Sequence, residues 1–88
     1  MDYQEKINEY QKAFALLDEI CLLCLKETEE ETRKALKEEI RKRFERAPDD
    51  VERSIVLTVQ QYLKNMSYDV IKQIALSAQE KTKKKHRR

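Results

Sequence analysis

The chain contains no glycine in 88 residues. Turns that need a positive φ are therefore hard to build, and β-hairpins, which depend on them, are disfavoured. Glu, Lys, Arg, Leu, Ala and Gln make up much of the sequence, and all are good helix formers. The expected fold is all-α. The length suits one domain with one modest hydrophobic core.

The strongest periodic signal lies at the start. Tyr3, Ile7, Tyr10, Phe14, Leu17, Cys21 and Cys24 follow a 4-3-4-3-4-3 spacing, a heptad seam on one helix from about Asp2 to about Lys26. Ala13, Leu16, Ile20 and Leu23 form a second stripe beside it. At about 100° per residue the two stripes cover roughly 200° of the C-terminal half, about twice what one neighbouring helix requires. This helix needs several neighbours, or one neighbour and a partner chain. Its richest stretch, AFALLDEICLLCL from Ala13 to Leu25, is the most apolar segment of the chain.

Three further helices follow from start signals. Thr28 with Glu31 has the form of a capping box, in an acidic joint that suits a helix N-terminus, and opens a helix over 29–46. Because no Gly, Pro or Asn interrupts this joint, one continuous helix from Asp2 to Arg46 is the alternative. Helix 2 carries a narrow stripe, Leu36, Ile40 and Phe44, flanked by Thr32, Ala35 and Ala47. Four acid-first i,i+4 pairs support it: Glu29–Arg33, Glu30–Lys34, Glu38–Lys42 and Glu39–Arg43. Pro48 marks a boundary, and Asp49 with Glu52 opens helix 3 over 50–64. Val51, Ile55, Thr58, Val59, Tyr62 and Met66 form its expected buried stripe, widened by Val56 and Leu63, with Leu57 outside it. Asn65 and Ser67 punctuate a short break before helix 4, which runs from about Tyr68 to Lys81 or beyond. Val70, Ile71, Ile74, Ala75 and Ala78 are its expected buried stripe. The whole reads as a small antiparallel bundle over 1–80, with up-down-up-down order from the short joints, and a disordered basic tail over 81–88. Helices 3 and 4 are read as an antiparallel hairpin, with a helix-turn-helix as the competing arrangement.

Charge divides the same way. The net charge is +2, yet the tail KTKKKHRR supplies six positive charges, which leaves the body at −4. The chain begins Met-Asp-Tyr-Gln-Glu with no basic, then apolar, leader pattern, and both cysteines sit inside an apolar stretch. An intracellular, cytoplasmic location with reduced thiols is expected. The longest uncharged run, Ser54–Leu63, is too short and too polar to span a membrane.

The residue inventory leaves little room for chemistry. Cys21 and Cys24 form a CxxC, but a structural zinc site needs four ligands, and the sole histidine is His86 in the tail. The bland reading, two small apolar residues on a helix seam, is preferred. Adjacent Asp18 and Glu19 point about 100° apart on a helix and do not face each other. No nucleophile–base set, phosphate-binding glycine loop or Glu-x-x-His motif occurs. No enzyme, cofactor or metal is expected.

Two features remain as candidate sites. The broad face of helix 1, through Tyr3, Ile7, Tyr10, Phe14, Leu17, Ile20, Cys21 and Cys24, is the expected interface for a homodimer or a partner helix. The competing reading is that the other helices cover it completely. Lys81, Lys83, Lys84, Lys85, Arg87 and Arg88 are the candidate nucleic-acid contacts, against a merely solvated terminus. The leading functional expectation is a non-enzymatic interaction or regulatory module. The alternative is a small DNA-binding regulator using helices 3 and 4 with the tail, where Lys72 and Gln73 could read bases and Asp69 would repel phosphate.

Overall fold

A computed structural model describes the backbone of residues 3–87 and the side chains of residues 7–81. Four helices make up the fold: α1 (Tyr3–Cys24), α2 (Glu29–Arg46), α3 (Asp50–Lys64) and α4 (Tyr68–Arg87). Among the described residues none has a positive φ, so every joint is built without the left-handed conformation that glycine would supply.

The joints are closed by side-chain caps instead. Thr28 sits in an extended conformation and its hydroxyl accepts from the Glu31 N–H at 3.2 Å. Thr32, fully buried, locks the same joint from inside. Its hydroxyl donates to the Thr28 carbonyl at 2.8 Å and accepts from the Lys26 N–H at 2.9 Å. These bonds satisfy backbone groups on both sides of the break. They are the physical reason α1 and α2 are separate helices rather than the continuous helix of the alternative reading. At the next joint Asp49 accepts from the Glu52 N–H at 2.9 Å. Ser67 accepts from the Val70 N–H at 3.3 Å at the start of α4.

The chain makes an all-α bundle in which α1 is the central element. It is the one helix that packs extensively on each of the other three, while α2 also packs on α3. Ala13, Leu17, Ile20, Cys21 and Cys24 of α1 meet Leu36 and Ile40 of α2, Ile55, Val56, Val59 and Leu63 of α3, and Ile71 and Ala75 of α4 in one core. Arg43 ties α2 across to α1, pairing with Glu19 at 2.7 Å and with Glu39 at 2.8 Å. Of the four expected i,i+4 pairs, Glu29–Arg33 and Glu39–Arg43 form. Glu38 turns instead to Arg41, which also holds Glu45.

The route of α4 departs from the expected hairpin. After Ser67 it leaves α3 and returns antiparallel along α1, with the Tyr68 hydroxyl donating to the Lys26 carbonyl at 3.1 Å and Lys81 reaching Asp18 at 3.3 Å. Ala75 and Ala78, buried and small, let it approach α1 closely. Outside the first half of α1, the expected stripe residues Leu23, Phe44, Val51 and Val70 lie exposed. On α3 the buried face runs through Ile55, Val56, Val59 and Leu63, packed by α1 and α2, and Val51 in the first turn lies outside it. Leu57 is exposed, in keeping with its place off the stripe.

Candidate interaction surfaces

The expected interface on α1 splits in two. Leu17, Ile20, Cys21 and Cys24 are buried in the intramolecular core, so they are removed from any partner surface. α2, α3 and α4 converge on this half of the helix and cover its seam, while Leu22 and Leu23 stay exposed beside it. In the other half, residues 7–12 are exposed without exception. Ile7 keeps 46 % of its surface, and Tyr10 and Phe14 keep 53 % each. They stand at i, i+3 and i+7, one stripe on three successive turns. Phe14 is anchored from one side, its ring stacked on that of Tyr62 of α3 at 6.0 Å between centroids. Tyr3 belongs to the same seam, and its side chain lies outside the described residues.

The CxxC is a packing element. Both thiols are free and buried, and the Cys24 thiol donates to the Ala35 carbonyl of α2 at 3.5 Å. Burial, with the Asp18 charge nearby, pushes the Cys21 thiol up to about 11. The Cys24 thiol is raised as well, chiefly by burial. Both are therefore protonated near neutrality, when a metal ligand or nucleophile would have to be a thiolate. Among the described residues no group of three or more His, Cys, Asp and Glu is placed to hold a metal ion.

The basic segment is described in part. Lys81 is exposed and pairs with Asp18 of α1. The α4 backbone is helical through Arg87. The side chains of Lys83, Lys84, Lys85, Arg87 and Arg88 lie outside the described residues. Over 82–87, where the sequence predicts a disordered tail, the backbone continues α4. At the start of α4, Lys72 pairs with Asp69 at 3.6 Å and lies over the Tyr68 ring at 4.8 Å. Gln73 is exposed, and Asp69 stands beside it in solvent.

A surface that the sequence does not announce lies between α2 and α3, on the side away from α1. Leu36 and Ile40 of α2 and Leu63 of α3 form its floor. Arg33 and Lys37 border it on α2, and Gln60 and Lys64 on α3, around a volume of about 260 Å³. Further along, Lys37, Glu38, Arg41, Phe44, Leu57 and Gln60 extend the same groove. The sequence clue was available in Leu57 and in Arg33, Lys37 and Arg41, spaced four apart. What it lacked was the knowledge that α4 packs elsewhere.

No helix among the described residues is long and apolar enough to cross a membrane. No family model, curated protein or solved structure matches the chain.

Proposed function

We propose that this protein is a non-enzymatic interaction module that self-associates through the projecting half of α1. The observation that carries the reading is the stripe of Ile7, Tyr10 and Phe14, which extends past the region where the other helices cover α1. Exposed large apolar residues scattered singly need no explanation, but three on successive turns of one helix face form a patch. A second copy laid antiparallel would meet the same residues about a two-fold axis, the commonest closed arrangement. Phe14, already seated on Tyr62, supplies a rigid aromatic anchor at one end of the stripe. A three-turn stripe is smaller than the roughly 800 Å² per partner of a standard interface, so micromolar rather than nanomolar association follows.

Sedimentation across a concentration series tests this. The wild-type chain is expected to shift from monomer to dimer in the micromolar range, and the I7D/Y10D double variant to stay monomeric. A wild-type chain that remains monomeric at about 1 mM rules the reading out. The DNA-binding alternative draws no comparable support from α4, where Lys72 is engaged by Asp69 and Tyr68 and the exposed Asp69 opposes phosphate. A cytoplasmic setting suits two protonated, unpaired thiols and belongs to the same proposal.

A further inference from the structure

We infer that the groove between α2 and α3 is a second, independent docking site, whose occupant is an acidic amphipathic helix of a partner protein. Its shape is the first ground. The groove follows α2 from Arg33 to Phe44, eleven residues on, which at about 1.5 Å per residue is a run of roughly 17 Å, or three helical turns. It is open along its length rather than closed into a cavity, and its floor is aliphatic throughout: Leu36, Ile40 and Leu63. Such a trough receives the apolar face of a helix through anchors at i, i+3 or i+4, and i+7. At its far end Phe44 and Leu57 remain exposed on facing helices, beyond what the core uses.

Charge identifies the occupant. Arg33, Lys37 and Arg41 form one rail at four-residue intervals along α2, and Lys64 stands on the opposite wall. Glu38 is the one carboxylate among the lining residues. Arg33 and Arg41 are partly neutralised by Glu29 and by Glu38 and Glu45. Lys37 and Lys64 have no carboxylate within ion-pair distance among the described residues, and both are exposed. Two ammonium groups without carboxylate partners among the described residues, one on each wall of an apolar floor, complement a helix with leucines on one face and glutamates at its flanks. Nucleic acid fits less well. Phe44 is the one aromatic ring in the lining, so bases would find little to stack on.

The site does not involve Ile7, Tyr10 or Phe14, so it stands or falls apart from self-association. The test uses the full chain and a fluorescent peptide of about fourteen residues, with leucines at i, i+3, i+7 and i+10 and glutamates at its flanks. An isomer with lysines for the glutamates and a single-stranded oligonucleotide serve as comparison probes. The acidic peptide is expected to bind at least tenfold more tightly than the basic one. Backbone NMR shifts are expected at Leu36, Ile40, Leu57 and Leu63, in the wild-type chain and in I7D/Y10D alike. The K37E/K64E variant, changed only at exposed positions, should invert the preference, and L57D should weaken both peptides. Equal binding of the two peptides, or a preference untouched by K37E/K64E, overturns the assignment. So does the absence of acidic-peptide binding at about 1 mM, or oligonucleotide binding that alone depends on Lys37 and Lys64.

Discussion

The two halves of α1 carry one heptad pattern and meet opposite fates. From Leu17 to Cys24 every seam residue is buried, whereas from Ile7 to Phe14 every seam residue is exposed. The residue types do not explain this, since Ile7 is as apolar as Ile20 and Tyr10 and Phe14 are larger. The difference is what arrives from elsewhere. α2, α3 and α4 all converge on the second half, and the first meets the rest of the molecule at Ala13, in the core, and at Phe14, stacked on Tyr62. A periodic face states that a helix wants a neighbour, and the path of the rest of the chain decides where one is provided.

The largest effect that sharpens this contrast is at Ile20, fully buried at the centre of the core. Ile20→Ala should cost about 2–5 kcal/mol in urea unfolding, through lost transfer energy and a cavity. Next comes the clamp at the α1–α2 joint, which turns α2 back onto the core half of α1. Thr32→Val keeps the shape and removes the hydroxyl, leaving the Lys26 N–H without its buried acceptor. A loss of about 1–3 kcal/mol is expected, and unchanged stability would show that the joint holds without it.

A third effect depends on pH. The Cys21 thiol is raised from about 9 to about 11, so the unfolded chain surrenders its proton first. Stability from this source is complete below about pH 9 and drains away as the pH climbs towards 11. Unfolding of Cys21→Ala, compared with wild type across that window, should show a shallower decline. Parallel curves would mean that the thiol is less enclosed than its position implies. The smallest effect is at Ile7. Ile7→Ala should change monomer stability by no more than about 0.5 kcal/mol while weakening association. If Ile7→Ala cost as much as Ile20→Ala, the division of α1 into a core half and a surface half would be wrong.

Much of the local structure was legible in the residues. Thr28, Asp49 and Ser67 cap where cap chemistry places them, and the helix starts follow to within a residue or so, while α4 runs on to Arg87 through the basic segment. The seam from Leu17 to Cys24 was legible as apolar, though not as intramolecular. Val51, Val70 and Phe44 were misplaced because periodicity alone cannot tell a stripe that is met from one that is not. Thr32 was visible only as a residue flanking a stripe. Its role as a buried clamp depends on the Lys26 N–H being brought to it by the bend of the chain.

By itself, the sequence determined that the chain is helical, where its helices begin, and that its first helix carries more apolar surface than one neighbour could cover. Those are local properties, set by backbone freedom, capping and the 3.6-residue repeat. The tertiary structure decided that α4 lies along α1 rather than against α3. A joint of three residues leaves the angle between successive helices free, so packing chooses it, and the close fit of Ala75 and Ala78 against α1 favours that route. That one choice leaves a half of α1 whose seam is packed by three helices, and a groove between α2 and α3 left open.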